Sequence, residues 1–314
     1  MKIITLVPVK NEGWILRFSL KNFSLFSDEI IILDDHSTDD LLEIAQEYPK
    51  VRVVPFETTE RHVDMSLRRN ILLQEGRRSN GTHFVFLDAD ETFSGEFSKK
   101  LKETVSSMDK GATLFLPWVL IRQDNGELCF NSTDRSIYKD FIFSDDGTST
   151  YKKQFLSEER TPGDHTLKTY HSFETGYVLH FQKIAQKRNQ LKQAWYRCSE
   201  LVEGSRSARR INATYRHSKE SVARNKELLK DEFTLSNFKD IRTDADYDFY
   251  IQQISTLFEQ KNIVFFESLD IWDIPELREM FVRKVGRGPE ARVFPDWLLF
   301  LNDLKNKVKN SIIQ

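Results

Sequence analysis

The sequence predicts an α/β fold in which helices flank a mostly parallel sheet and a mainly helical region follows. Three observations predict it. Short apolar runs alternate with segments of helical periodicity over residues 1–90, polar residues cluster where those runs end, and helical patterns dominate from about residue 184. Apolar strands joined by crossover helices are typical of parallel sheets. We therefore expect two regions, residues 1–183 and 184–314, that pack together.

The amino-terminal elements are predicted in regular order. Apolar runs indicate strands over 3–9, 29–35, 51–56 and 83–90, and helical patterns lie between them over 13–26, 38–49 and 64–79. Thr38 or Ser37, followed by acidic residues, is a credible start for the second helix. Because open α/β sheets bind ligands at the carboxyl ends of their strands, this order predicts a crevice of the nucleotide-binding type.

The pattern changes after residue 110. Residues 112–130 indicate a hairpin that turns at Asp124-Asn125-Gly126, residues 137–166 are rich in loop signals, and 175–182 indicate a strand. Further helices are predicted over 183–202, 218–233, 246–261 and 295–310. The last of these is amphipathic with a basic end. Core packing is the ordinary role for its apolar face, and peripheral contact with a membrane is the alternative.

Composition and charge exclude several classes of protein. The 314 residues are 39% hydrophobic and have a formal net charge of −2, so we expect a folded core and no general nucleic-acid binding. The two cysteines, Cys129 and Cys198, lack metal or redox spacing. No apolar run reaches the length of a membrane span. We expect a cytoplasmic protein in a reducing compartment.

The strand at 83–90 ends in carboxylates. Asp88, Asp90 and Glu91 directly follow an apolar run, and a buried strand cannot end in three carboxylates unless something neutralises them. Two chemistries fit the pattern. An Asp-x-Asp-x-Thr motif opens the site of haloacid-dehalogenase-type phosphohydrolases, with Asp88 as nucleophile. An Asp-x-Asp pair also holds a divalent cation against the diphosphate of a sugar nucleotide.

Four motifs in residues 1–95 favour the second chemistry. They are "LVPVKNEG" (6–13), "IIILDDHSTDD" (30–40), "LRRN" (67–70) and "GTHFVFLDADE" (81–91). In this order they resemble the motifs of GT-A-fold glycosyltransferases of the inverting family 2 type. The resemblance implies a GT-A nucleotide-sugar-binding catalytic domain at 1–183, a UDP-sugar donor, and a glycan or glycolipid acceptor. Surface glycan (polysaccharide) synthesis is a typical setting. A phosphohydrolase, or an inactive nucleotide-sugar-binding protein of the same fold, is the alternative.

The resemblance also assigns nucleoside contacts. Asp35 accepts a hydrogen bond from the uracil ring, with Asp34 as its close alternative; one of the two is expected to be a helix-capping residue. Arg69 matches the family's helix arginine near the nucleotide, and Arg68 is the alternative in register. The remaining nucleotide contacts come from the loop after the first strand and from the Asp-x-Asp motif: Pro8, Val9, Asn11, Glu12, Asp88 and Ala89.

The metal site is assigned in the same way. The resemblance gives Asp90 direct ligation of a divalent metal, Mn²⁺ or Mg²⁺, and gives Asp88 a contact with ribose or with the metal through water. Glu91 is expected to be a bystander. His180 is a candidate third ligand, and a core histidine is the alternative interpretation. Ligation by His180 would favour Mn²⁺, because imidazole suits the softer ion.

Inverting transfer needs a base that deprotonates the acceptor hydroxyl. In the resembled family this is an Asp or Glu well after the Asp-x-Asp strand. The segment "FLSEERTPGDH" (155–165) lies in that interval but departs from the usual Glu-Asp pattern. We expect Glu159 to be the base. Glu158 is the second candidate and Asp164 is the third. Arg160, His165 and His171 are candidates for phosphate or acceptor contacts.

Overall fold

A computed structural model describes residues 1–57, 65–152, 159–162, 167–204, 206–215, 225–243 and 247–290. The chain divides into two compact units. The first comprises Met1–Ala185 and Val222–Ala245, and the second comprises Gln186–Ser221 and Asp246–Gln314.

The described elements are as follows. The strands are β1 Ile3–Val9, β2 Glu29–Asp34, β3 Val51–Pro55, β4 His83–Phe86, β5 Glu91–Phe93, β6 Ala112–Leu120, β7 Arg122–Asp124, β8 Glu127–Asn131, β9 Tyr138–Ser144, β10 Leu167–Tyr170, β11 Val178–His180 and β12 Lys226–Leu228. The α-helices are α1 Gly13–Phe23, α2 Leu41–Gln46, α3 Met65–Arg78, α4 Gly95–Ser106, α5 Gln186–Glu203, α6 Ala208–Thr214, α7 Glu232–Asn237, α8 Asp248–Lys261 and α9 Pro275–Val285.

The first unit is built on a nine-stranded sheet in the order β3-β2-β1-β4-β9-β6-β11-β5, with β10 also pairing with β6. The pairs β1–β2, β2–β3, β1–β4, β6–β10 and β6–β11 are parallel. Among the described pairs of this sheet, β4–β9, β6–β9 and β5–β11 are antiparallel. This mostly parallel sheet with flanking helices confirms the predicted fold class.

Strand β1 is almost wholly apolar because both faces of the sheet are covered there. Side chains of β1 alternate between two cores: Ile3 and Val7 pack with residues of α1, and Ile4 and Leu6 pack with residues of α3. All four are fully buried. A strand buried on both faces has no exposed side that would select polar residues, which explains the continuous apolar run.

Two predictions in the later part of this unit are wrong. Residues 138–144, expected to be loop, form β9, which lies between β4 and β6 and buries Phe141, Ile142 and Phe143 completely. Residues 226–228, expected to be helical, form β12 and pair with β8. Both strands are stabilised by partners distant in sequence, which the local pattern does not record.

The predicted hairpin turn is present. β7 and β8 pair antiparallel, with Asn125 at φ 50° and Gly126 at φ 85° between them. Successive positive φ values are those of a tight two-residue turn, for which Asn-Gly is strongly preferred. The hairpin spans 122–131 only, because β6 belongs to the large sheet.

The second helix begins later than predicted. α2 starts at Leu41, not at Thr38 or Ser37. The intervening residues bind another loop: the Asp39 carboxylate accepts a hydrogen bond from the backbone N–H of Gly13 at 2.7 Å. Gly13 permits this approach, since a Cβ there would lie 2.3 Å from the Asp40 side chain.

The second unit is helical in its described part. Its core contains fully buried side chains from α5, α6, α8 and α9, including Leu191, Ile211, Ile254 and Leu277. The predicted helices at 183–202 and 246–261 correspond to α5 and α8. The predicted helix at 295–310 lies outside the described residues. None of the described helices combines the length and apolar character that crossing a membrane requires.

Candidate active site

The sheet has a topological switch point between β1 and β4. From β1 the chain proceeds outward to β2 and β3, then crosses back to place β4 on the other side of β1. Loops that leave β1 and β4 therefore separate, and a crevice opens at the carboxyl ends of these strands. The predicted nucleotide-contacting residues Pro8 and Val9 end β1, and the Asp-x-Asp motif follows β4.

The loop after β1 is tied to the loop after β2. Asn11 has φ 53°, its backbone N–H donates to Ser37 Oγ at 2.9 Å, and its Oδ1 accepts from the backbone N–H of Thr38 at 2.7 Å. Glu12 is buried and accepts from Trp14 Nε1 at 2.6 Å. Both side chains thus make contacts within the protein that shape the edge of the crevice.

Asp34 and Asp35, although adjacent, have different environments. Asp34 Oδ1 accepts from the backbone N–H of Ser37 at 2.9 Å, a local turn contact. Asp35 Oδ2 instead accepts from Arg68 Nη2 at 2.5 Å and lies 3.3 Å from Lys10 Nζ. Asp35 therefore presents its carboxylate to two cations beside the crevice, while Asp34 shapes the backbone.

The two arginines of α3 also differ. Arg68 contacts Asp35, and its guanidinium lies 5.3 Å from the centre of the Phe56 ring. Arg69 is 4% exposed, lies over the ring of Phe86 and donates to the backbone carbonyl of Glu159. The structure thus brings Arg68 to the predicted base-reading carboxylate and uses Arg69 to position the 159–162 segment.

The strand end after β4 is neutralised from within the protein. Arg160 Nη2 donates to Glu91 Oε1 at 2.6 Å and to Asp88 Oδ2 at 3.0 Å. Glu91 also accepts from Trp118 Nε1 at 2.7 Å and from the backbone N–H of Asp88 at 3.0 Å. Burial raises the pKa of the Glu91 carboxyl, and the charge of Arg160 opposes this rise.

That Glu91 is a bystander of the metal site stays a prediction, but its side chain has a structural role that the sequence pattern did not indicate. It is fully buried, whereas the Asp88 side chain is 40% exposed. No pattern within 83–93 separates these roles, because the partners of Glu91 come from residues 118 and 160. A buried carboxylate requires such partners, and only the folded chain supplies them.

Asp90 faces His180. The Asp90 Oδ2 and His180 Nε2 atoms are 3.4 Å apart, and both side chains are at most 10% exposed. The imidazole stacks on Trp118 with ring centres 4.7 Å apart, and within the described part of the chain its Nδ1 is buried without a hydrogen-bond partner. Ala89, between the two aspartates, is buried and accepts at its carbonyl from Ser19 Oγ.

The predicted base segment is described only at 159–162. Glu159 is exposed, and its neighbour Arg160 is buried. Asp140 holds the segment by accepting from the backbone N–H groups of Arg160 and Thr161 at 2.9 and 2.8 Å. Glu158, Asp164 and His165 lie outside the described residues. His171 contacts Thr175 and the ring of Phe97.

The described residues contain no group of three or more His, Cys, Asp or Glu side chains arranged to hold a metal on their own. Asp90 with His180, and Asp88 with Arg160, form two separate pairs along the strand end. Any cation bound here would thus draw further ligands from a substrate or from water.

The fold defines a class: an α/β domain whose switch point carries acidic side chains, as in GT-A glycosyltransferases. The sequence model of the family described as Glycosyl transferase family 2 matches residues 5–159, which span β1 to the start of the Arg160 segment. Residues 5–159, about half of the chain, therefore belong to this family, and the protein is a glycosyltransferase. The match confirms the predicted family and enzyme class over the phosphohydrolase alternative.

Solved structures provide remote likenesses. S. aureus TarS 1-349 has 13% identity and a TM-score of 0.42, covering 90% of this chain and 87% of that chain. Its complex with UDP-GlcNAc has 14% identity and a TM-score of 0.40 over the same shares. Glucosyl-3-phosphoglycerate synthase from Mycobacterium tuberculosis, solved with Mn²⁺ and UDP, has 22% identity and a TM-score of 0.29, covering 38% and 44%. A comparison with curated protein sequences finds no match.

Proposed function

We propose that this glycosyltransferase transfers a sugar from a UDP-sugar to an acceptor hydroxyl with inversion of configuration, assisted by a divalent cation. The observation that carries the proposal is the Asp-x-Asp strand end at the switch point beside the ends of β1 and β2. Ligands of open α/β sheets bind at such a point. The family match covers the whole of this crevice edge.

The nucleoside half of the donor is assigned to the loops after β1 and β2. Asp35 accepts from the uracil N–H, and the contacts with Arg68 and Lys10 orient its carboxylate. Pro8 and Val9 line the base with backbone atoms. Asn11 and Glu12 support that edge through their contacts with Ser37 and Trp14.

The diphosphate half is assigned to the strand end after β4. The donor set there fits a hard divalent cation, since Mg²⁺ is commonly bound through one or two carboxylates plus substrate phosphates. Asp90 is the proposed ligand of the cation, and Asp88 contributes through its exposed carboxylate. His180 lies close enough to Asp90 either to ligate the same cation or to orient the Asp90 carboxylate. A bound cation would neutralise charge that develops on the leaving diphosphate.

The acceptor half is assigned to the segment that carries Glu159. Its side chain is exposed beside a buried Arg160 that contacts the strand end. A base must come within about 2.6–3.2 Å of the hydroxyl that it deprotonates. We propose Glu159 for this role, with Glu158 and Asp164 as the neighbours to test. The acceptor class is a glycan or glycolipid, as expected for surface glycan synthesis.

A donor screen tests the proposal. The full chain is melted with UDP, GDP, CDP and ADP, each with Mn²⁺, Mg²⁺ or a chelator. UDP with Mn²⁺ at a hundred times the dissociation constant should stabilise the fold by about 2.7 kcal/mol. Asp90→Asn should abolish the metal-dependent part of this stabilisation. No stabilisation by any diphosphate would reject the donor assignment, and stabilisation that survives chelation would reject the cation.

Two further measurements separate a competent transferase from an inactive binding protein, and a ligand role of His180 from a core role. Slow hydrolysis of a UDP-sugar indicates a competent transferase, whereas donor binding without hydrolysis or transfer indicates an inactive binding protein. For His180, the matched pair is His180→Ala and His180→Gln. A ligand role predicts weaker Mn²⁺ binding in both, while a core role predicts a lower melting temperature with unchanged Mn²⁺ titration.

A further inference from the structure

A single guanidinium nitrogen of Arg160 contacts two carboxylates, one of them buried and the other exposed. Nη2 contacts Glu91 at 2.6 Å and Asp88 at 3.0 Å. Glu91 is fully buried and the Arg160 side chain is 7% exposed, whereas the Asp88 side chain is 40% exposed. The same cation therefore has one partner inside the protein and one at the surface of the crevice.

The contact with Glu91 is a fixed one. Glu91 accepts three hydrogen bonds, from Arg160, Trp118 and the backbone of Asp88, which leaves little access for another cation. The backbone of Arg160 is itself held by Asp140, and Tyr151 donates to its carbonyl at 2.6 Å. Breaking a buried pair leaves an uncompensated buried charge, so the contact between Arg160 and Glu91 persists.

The contact with Asp88 is the exchangeable one. Ion pairs with an exposed partner contribute little to stability, so a competing cation can displace one at small cost. When Arg160 and Glu91 neutralise each other, Asp88 and Asp90 remain with a combined charge of −2. That is the charge a divalent cation balances, and the contact with Arg160 in the donor-free position withholds one of these two carboxylates from the cation.

We propose that Arg160 is the counter-ion of Asp88 in the donor-free enzyme and yields this carboxylate when a divalent cation binds. Arg160 is thus a positioning residue: it orients the Asp88 carboxylate, and it weakens the binding of a cation that arrives without nucleotide. This inference rests on the proposed function, because it takes Asp88 to be part of the cation site.

The test measures Mn²⁺ binding to the nucleotide-free protein by calorimetry. The decisive variant is the double substitution Glu91→Gln with Arg160→Gln. It removes one negative and one positive charge, so the net charge beside the metal is unchanged, and neither residue remains as an unpaired buried ion. Asp88 is released from Arg160 in this variant. Urea unfolding of each variant confirms that it is folded.

The double variant should bind Mn²⁺ roughly tenfold more tightly than the unaltered chain, as expected when a coupled contact is removed. Adding Asp88→Asn should remove this gain, since the released carboxylate is then absent. Equal affinity in the double variant and the unaltered chain would overturn the proposal. A gain that survives Asp88→Asn would overturn it as well, because the effect would not act through Asp88.

The outcome also separates this inference from the proposed function. If Mn²⁺ binds with UDP in every variant but Arg160 has no influence, only the counter-ion role fails. If no variant binds Mn²⁺ with or without UDP, the cation assignment fails and the counter-ion role fails with it.

Discussion

The acidic ends of β2 and β4 lie at the same edge of the sheet but are neutralised in different ways. At the end of β2, Asp35 pairs with Lys10 and Arg68, whose side chains are 39% and 23% exposed. At the end of β4, Glu91 and Arg160 pair at 0% and 7% exposure. In the first pairing both cations reach solvent although the Asp35 side chain is only 12% exposed, and the second pairing is part of the protein interior.

This difference indicates a division of roles. Exposed ion pairs cost little to break, so Asp35 can exchange its partners for a ligand. A buried pair is costly to break, so Glu91 and Arg160 form a rigid pair, and Arg160 holds the exposed Asp88 carboxylate in place. Crevices that release a product after each turnover need both kinds of group, a rigid support and an exchangeable surface.

The largest expected effect tests the buried ion pair of Glu91 and Arg160. Arg160→Met leaves Glu91 as a buried carboxylate without its cation, so we expect the free energy of unfolding to fall by about 3–5 kcal/mol. The matched control is Lys10→Met, which breaks the exposed pair and should cost at most about 1 kcal/mol. Urea unfolding measures both. Similar costs for the two variants would abolish the distinction between the strand ends.

The second effect concerns Glu159, which directly precedes Arg160 in the sequence. Glu159→Gln preserves size and removes basicity, so transfer should fall by roughly a hundredfold or more while UDP and Mn²⁺ still bind. Glu158→Gln and Asp164→Asn are the controls in the same segment. The transferred sugar should have the inverted anomeric configuration, as determined by NMR. A fully active Glu159→Gln enzyme would move the base to one of these neighbours or out of the segment.

The third effect tests the exchangeable end. Asp35→Asn should weaken UDP binding about tenfold, because a charged acceptor of the uracil N–H becomes a neutral one. The turnover number should change little, since Asp35 is remote from bond breaking in the proposed arrangement. Asp34→Asn, whose carboxylate holds a local turn, is the control. Calorimetric titration with UDP decides; a larger loss for Asp34→Asn would exchange the two assignments.

The smallest effect concerns another exposed pair in the loop after β2. Arg242 donates to both carboxylate oxygens of Asp40 at 2.8 and 2.9 Å, and these bonds hold the pKa of Asp40 below its ordinary value. A depressed carboxyl pKa stabilises the fold above the unfolded pKa of about 3.9, and this contribution is lost as pH falls through the folded pKa.

Arg242→Met should therefore lower the free energy of unfolding by less than about 1 kcal/mol at pH 7. The difference from the unaltered chain should shrink toward zero as the pH falls from about 3.9 through the lower folded pKa of Asp40, below which Asp40 is protonated in both states. Urea unfolding across this pH range measures it. A difference that does not change with pH would show that Arg242 acts through packing instead of charge.

Local pattern was sufficient for the amino-terminal half of the sheet. The strand predicted at 3–9 is β1 with the same bounds, and the predicted helices at 13–26 and 64–79 contain α1 and α3. It failed for β9 and β12, because each is stabilised by pairing with strands far away in sequence. The late start of α2 has the same cause, since Asp39 binds the backbone of Gly13.

The sequence by itself determined the family, the order of the first elements and the strand ends that carry carboxylates, because these depend on periodicity and on motifs of adjacent residues. Only the tertiary structure decided which of those carboxylates is buried and what neutralises it. Arg160 lies 69 residues from Glu91, and Trp118 lies 27 residues from it. A buried charge is stabilised by whichever groups the fold brings within hydrogen-bond distance, and that choice is made by the register of distant strands.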